Sequence, residues 1–424
     1  MQTMTRTRFH KPDLVLPAWA GTKFPKRGME LVDLRALGIM PGVAGGDRGY
    51  NAEGDIVTET ADGVDINALW RDYQDMLREF NAQRNDLFNF LTWRTTASRE
   101  DIVGAGQQTD FEEASEFGEP VGVRPGPPPY TSLGYTLKWY DLAARFTWQF
   151  LANSPAQQVD TIADMAAEAD NRLMFNMVLR TVFNTNRRVN REDQTVYPFY
   201  AGTAGDQPPT VGTTTFADQH NHFVTSGGAT ITPQNLEAMQ ELLREHGYKR
   251  SNGYTLVLMI NDASEEEGVI RNFRSMANGT GEADATHGTY DFVPAQGTPS
   301  ILLPTDVRLE DNGVTRPPAS LRGMEVVGAY AEWTIVKNEY IPAGYVFGFA
   351  TGGSENINNP VAIREHANAG LRGLRLVKGR TPDYPLIDSF YNRGFGTGIR
   401  HRGAGAVMQI TANANYAVPP VYAW

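Results

Sequence analysis

The sequence of 424 residues predicts an α+β protein organised around a projecting two-stranded arm and one long helix. Three observations support this class. Two extended limbs flank a proline-rich turn between Phe111 and Phe150, and the return limb alternates Leu133, Tyr135, Leu137 and Trp139 before shifting phase to Leu142, Ala144, Phe146, Trp148 and Phe150. Apolar and small residues then recur at helical spacing from Val159 to Val178. From Thr232 onward, amphipathic helical faces alternate with short, wholly apolar strand-like runs.

In chain order, residues 1–64 carry six Lys or Arg before position 28 against one acid, Asp13, and hold no lasting period. They are expected to form an extended arm, with Trp19, Phe24 and Leu34 as docking residues. Asp65–Trp93 is expected to be one helix capped by Asp65, since Ile66, Leu69, Trp70, Tyr73, Met76, Leu77, Phe80, Leu87 and Phe88 fall at three- and four-residue steps. The first limb of the arm is acidic, with seven acids and no intervening base from Glu100 to Glu119. Pro125, Pro127, Pro128 and Pro129 stiffen its turn. The phase shift in the return limb predicts a bulge near Tyr140–Asp141. A two-stranded ribbon is marginal alone, so its aromatic residues need something to lie on, and another copy of the chain fits best.

The long helix is expected over Ser154–Asn184, with Ser154 as N-cap, Pro155 in the first turn and Gln157 closing a capping box. An alanine-rich stripe without flanking charge order favours packing across a sheet over a coiled coil. Thr232 and Pro233 open a helix whose face is Leu236, Met239, Leu242 and Leu243 and which stops at Gly247. Thr255–Ile260 reads as a strand buried on both faces, and Asp262 as the cap of an acidic helix, Ala263–Met276. Asn278–Asp291 reads as a surface loop. Further strands are expected at Ser300–Leu303, Met324–Val327, Thr334–Val336, Tyr345–Phe349 and Ala406–Thr411. The tail is basic, with eight Lys or Arg against three acids from Arg364 to Arg402.

Composition narrows function. The hydrophobic share of 41% and charged share of 21% are those of a folded protein with two or three modules. Without cysteine there are no disulfides, thiolate metal sites or thiol nucleophiles. A net charge of −11 argues against a dedicated nucleic-acid binder, yet suits a container whose wall must not stick to packed nucleic acid. No secretory h-region or membrane-length apolar run is present, so the expectation is a soluble protein made in the cytoplasm.

Candidate chemistry is sparse. His220 and His222 share a face if extended and could bind a metal with Asp218, but a polar surface loop accounts for them better. Gly394, Gly396 and Gly398 lack the strand and helix of a dinucleotide loop and read as a flexible interface loop. The acids Glu265, Glu266 and Glu267 suit a helix start, and Ser264 has no nucleophile-elbow setting. The other histidines, His10, His246, His287, His366 and His401, are scattered. No catalytic, cofactor or metal residue is assigned.

The stretches "TLKWYDLAARFTWQFLANSPAQQVDTIADMAAEADNRL" and "NRGFGTGIRHRGAGAVMQITANANY", with the order of elements around them, resemble the major capsid proteins of tailed bacteriophages, the Hong Kong 97-like fold. The resemblance covers most of the chain from about residue 65. It implies an N-terminal arm (1–64), a helix leading to the peripheral (P) domain (65–104), an extended loop, the E-loop (105–153), a P domain with spine helix (154–230), an axial (A) domain (231–379), and a returning P-domain strand with the C-terminus (380–424). The implied function is self-assembly into hexamers and pentamers of an icosahedral head that matures from a procapsid. Its implied partners are a portal, a separate scaffolding protein, a decoration protein and non-specifically contacted double-stranded DNA, with no membrane. Some relatives cross-link an E-loop lysine to a neighbour's asparagine. Here the arm's one lysine is Lys138, at its base, although Asn356, Asn358 and Asn359 exist. An encapsulin-like compartment, and more remotely a metal-dependent hydrolase, are the competing readings.

On this basis the expected subunit interface comprises Phe111, Glu112, Glu113, Glu116, Trp139, Phe146, Trp148, Phe150, Arg393, Arg400 and Arg402. The acidic limb would face a neighbour's basic residues, each exposed pair giving about 0–1 kcal/mol. The aromatics would supply strength, at about 25 cal/mol per Å² of apolar area covered.

Overall fold

The computed structural model describes residues 57–82, 86–103, 116, 130–263, 266–278, 281–296, 316–321, 324–379 and 386–424. The expected arm upstream of residue 57, most of the acidic limb, the proline turn and the expected Ser300–Leu303 strand lie outside them. The described residues cluster into two compact units. One draws on the described residues within 57–78, 141–166 and 376–392, the other on those within 79–140, 167–375 and 393–424.

The larger unit is built on a sheet of eight strands. Seven run in the order Phe292–Pro294, Met324–Tyr330, Trp333–Asn338, Thr255–Asn261, Tyr345–Thr351, Gly405–Gln409 and Phe223–Thr225, and Ser320–Leu321 pairs with Met324–Tyr330. Thr255–Asn261 lies centrally, parallel to Trp333–Asn338 and antiparallel to Tyr345–Thr351. Its side chains alternate between two cores, which is why the run is continuously apolar. Leu256, Leu258 and Ile260 pack with Leu236, Met239 and Leu243 of one helix. Val257 and Met259 pack with Met174, Val178, Leu179 and Phe183 of another. The long helix therefore crosses a sheet, as its alanine-rich stripe predicted. The sheet also takes strands from 223–225 and 405–409, so it is not assembled from 231–379 alone.

The α-helices among the described residues are α1 (Ile66–Ala82), α2 (Asp86–Leu91), α3 (Trp148–Asn153), α4 (Ala156–Phe183), α5 (Pro233–Glu245) and α6 (Glu266–Ile270). Helix α5 has the expected cap. Thr232 accepts from Asn235 N, the Asn235 side chain returns the bond, and Gly247 follows the end at φ +83°. Asp65 accepts from Asn67 N at the start of α1. The single helix expected over Asp65–Trp93 is not formed, because Thr92–Thr95 is a strand, parallel to Val361–Glu365. The expected Ala263–Met276 helix is also shorter. Among the described residues of that stretch only the five of α6 are α-helical, and Arg274–Ser275 pairs with His287–Gly288, the latter inside the expected loop.

Helix α4 has 28 residues and spans about 42 Å. Ser154 does not start it. Ser154 closes α3, and the first amide of α4, Ala156 N, is taken by the Asp62 carboxylate at 3.1 and 3.2 Å. The Thr60 hydroxyl above all holds the Asp62 carboxyl below its usual pKa; burial opposes it, and the Ala156 N–H adds to the lowering. A folded pKa below the unfolded one gives a contribution that is present at neutral pH and lost as pH falls through the folded value. Asp62→Ala is expected to lower the thermal midpoint at pH 7 and leave it unchanged well below the ordinary carboxyl value of 3.8. Midpoints of both proteins across that range check the sign.

The smaller unit also contains the second half of the arm's return limb. Its residues bond to Leu386–Ile399 through Ser389 Oγ to Ala144 O (3.3 Å), Arg145 to Asp388 (3.1 Å), and Asn392 Nδ2 to Asp141.

Candidate subunit-interface surface

The base of the arm is a two-stranded ribbon, Arg99–Val103 antiparallel to Tyr130–Gly134, with Arg99 opposite Gly134 and Val103 opposite Tyr130. The return limb breaks at Tyr135–Leu137, between the strands Tyr130–Gly134 and Lys138–Thr147. There it crosses Leu386–Ile399, a strand of 14 residues that is buried in its second half. Gly394, Gly396 and Gly398 lie on this strand and not in a loop, and alternate positions share one face. A Cβ on Gly396 would lie 1.7 Å from Thr136 O, one on Gly394 would lie 2.6 Å from the Trp139 ring, and one on Gly398 would lie 2.6 Å from the Tyr135 ring. The crossing is bonded as well as packed. Thr397 N donates to Thr136 Oγ1 (3.0 Å), Thr136 Oγ1 donates to Thr397 O (3.1 Å), and Arg364 Nη1 and Asn190 Nδ2 both donate to Tyr135 O.

Past the crossing the aromatic candidates separate. Trp139 is 38% exposed, meets the His366 ring at 5.8 Å with the two planes tilted by 47°, and has the Arg375 guanidinium 5.7 Å from its ring centre. Phe146 is the penultimate residue of the strand Lys138–Thr147. Trp148 and Phe150 are on helix α3 rather than on a continued strand, because the Thr147 side chain accepts from Phe150 N at 3.0 Å and turns the backbone. The Phe146 and Phe150 rings stack at 6.0 Å, both half-buried, and Trp148 is half-buried beside them in sequence. Leu142 and Met165, in the same unit, are 46% and 62% exposed. Glu116 is exposed in a bend, while Phe111, Glu112 and Glu113 lie outside the described residues.

The three arginines assigned to the interface are engaged by acids of their own chain. Arg393 is buried against Asp170, with a 2.5 Å contact. Arg402 is buried and makes a bidentate pair with Asp206, whose carboxyl burial would raise but Arg402 and Arg187 hold low. Arg400 donates to Glu100 at 2.6 Å and lies over the Trp93 ring. Acidic limb and basic strand do meet, but through Glu100 and within one chain. Sequence reading gave the charges and missed Asp170 and Asp206, because charge patterning carries no signal of which acids share a buried site. Asn359, a potential cross-link acceptor, is fully buried, and its amide donates to the carbonyls of Asn89, Thr92 and Gly353.

His220 and His222 are not a simple surface loop. Their Nε2 atoms lie 3.0 Å apart, His222 is fully buried, and His246 joins them. Asp218 is turned elsewhere, accepting from Gly205 N and Gln219 N.

A chain from Mycobacterium phage Patience is 37% identical, matching 88% of this chain and 96% of its own, with a TM-score of 0.66. This chain belongs to the major capsid proteins of tailed bacteriophages. It has the Hong Kong 97-like fold and is a structural component of the virion capsid that assembles with copies of itself. More remote likenesses are the mature capsid of bacteriophage PhiM1 (10% identity, 78% of this chain, 88% of that one, TM-score 0.44) and the capsid of a native GTA particle (15%, 77%, 90%, 0.42). No family profile and no curated protein matches the sequence. The phage relationship sets the encapsulin reading aside. Among the described residues, no helix is long and apolar enough to cross a membrane.

Proposed function

We propose that this capsid protein forms hexamers and pentamers of an icosahedral head through its arm, which lies over the neighbouring subunit. The observation that carries this reading is the crossing at Tyr135–Leu137. It anchors the root of the arm to a glycine-lined strand, while Trp139, Leu142, Trp148 and Phe150 keep apolar surface exposed beyond it. Covering what each such side chain still exposes contributes about 25 cal/mol per Å² of apolar area, and a shell multiplies that contact around every ring. Glu116 and its neighbours in the acidic limb act on register and orientation. Arg393, Arg400 and Arg402 support the fold behind this surface rather than the contact itself.

In this role the chain is a wall rather than a catalyst, with residues 105–153 as E-loop, 154–230 and 380–424 as the P-domain segments and 231–379 as the A domain. It encloses double-stranded DNA without reading its sequence, which its acidic balance favours. A portal, a scaffolding protein and a decoration protein complete the head, assembled in the host cytoplasm.

Trp148→Ala combined with Phe150→Asp is expected to give soluble protein that forms no shells by negative-stain microscopy. Since Phe150 also stacks on Phe146, Leu142→Asp at a more exposed position serves as the companion variant. Its thermal midpoint should match the parent while its assembly fails. Normal shells from both variants would refute this interface.

A further inference from the structure

Three histidines from two separate segments converge at their Nε2 atoms: His220 to His222 at 3.0 Å, His222 to His246 at 3.0 Å and His246 to His220 at 3.1 Å. His220 and His222 lead into the strand Phe223–Thr225, and His246 is the residue that ends α5. Their rings are held before any ligand arrives. His246 is stacked between Phe216 (4.3 Å, 6°) and Tyr200 (5.6 Å, 7°), and the Phe216 ring meets His220 edge-on at 5.0 Å.

Hydrogen bonding alone does not satisfy this triangle. His222 Nδ1 lies 2.8 Å from Gly405 O, which can only accept, so the proton is on Nδ1 and Nε2 presents a lone pair. A neutral ring nitrogen is either a donor or an acceptor. Three mutual contacts cannot alternate the two, so one contact must set two lone pairs or two N–H groups against each other. Arg402, 4.2 Å over the Tyr200 ring, is already matched by Asp206. A divalent ion is the species that all three lone pairs can face at once.

We infer that His220, His222 and His246 form a three-histidine site for a first-row divalent transition metal, best filled by Zn²⁺, which staples the 201–222 segment to the end of α5. An ion about 2.0–2.1 Å from each nitrogen sits about 1 Å out of their plane with N–metal–N angles of about 95°, leaving its far side for water. Imidazole donors select zinc, copper, iron or nickel over magnesium and calcium. The Gly405 carbonyl supplies the outer contact that orients a metal-binding imidazole.

The test uses the full chain and its particles, purified without a metal-affinity step. Particles are expected to carry about one zinc per chain by elemental analysis. Chelator-stripped chain should regain Zn²⁺ with a rise in thermal midpoint that Mg²⁺ does not give, and Co²⁺ in its place should show visible ligand-field absorption. His222→Ala should abolish retention and the zinc-dependent rise. Because His222 is buried and its loss could compromise folding, His220→Ala at the half-buried position is the second variant, expected to fold and to lose the same two signals. Parent protein that neither retains nor responds to Zn²⁺ overturns the inference, and so do variants that keep both signals.

Discussion

Arg393→Met is expected to lower the stability of this capsid protein by about 3–5 kcal/mol. The Arg393 and Asp170 side chains are 3% and 4% exposed and meet at 2.5 Å, with Phe88, Met174 and Phe175 nearby. Burial depresses the guanidinium, while Asp170 and Glu365 hold its proton on. Removing the cation takes the paired guanidinium from a carboxylate in a low-dielectric core, where it must either stay charged at greater cost or take up a proton. Both outcomes cost more than the pair gives when intact. Pairing the change with Asp170→Leu removes that charge, so the double variant should recover most of the loss. Chemical unfolding midpoints of the two single variants and the double variant measure this. A double variant no more stable than Arg393→Met would mean the two side chains are not coupled.

Gly396→Ala is expected to be comparably damaging by a different route. Its Cβ would lie 1.7 Å from Thr136 O and 2.2 Å from Thr136 C, and both are backbone atoms that cannot swing aside as a side-chain tip can. Either the crossing segment lifts off or the strand bows, and both break the reciprocal Thr136–Thr397 bonds. Overpacking of this severity belongs at or above the upper end of the usual range, about 3 kcal/mol. The arm would lose its anchored root, so the variant should lose shells as well as stability, whereas Gly212→Ala, with nothing within 4 Å of its Cβ though its φ is +60°, should still assemble. Microscopy of both proteins after matched expression separates the cases. Intact particles from Gly396→Ala would show that the crossing is not needed.

What the sequence revealed followed the strength of local signals. Helix α5 was legible because Thr232, Pro233, its apolar face and Gly247 all agree, and Thr255–Asn261 because a short apolar run bounded by polar residues suits a strand buried on both faces. The arm's direction was legible from alternation, but its last aromatics were not. Residues 146, 148 and 150 keep a strand's spacing even though the Thr147 hydroxyl starts a helix between them. Gly394, Gly396 and Gly398 were misread because glycine usually signals a turn. Their spacing of two was the clue to a shared strand face, but only the crossing segment explains why that face must be bare. Asp62, Asp170 and His246 were illegible for one reason: each acts on a partner 24 or more residues away. Composition records such residues without recording whom they meet.

The cap on α4 sets a boundary for proteolytic trimming of the chain's front end. Ile66 N bonds to Thr58 O, Ala61 N to Ser154 O, and Ala156 N to Asp62. A cut ahead of Thr58 leaves all three ties whole, whereas a cut after Asp62 severs every one of them from the body they serve and uncovers the leading amide of α4.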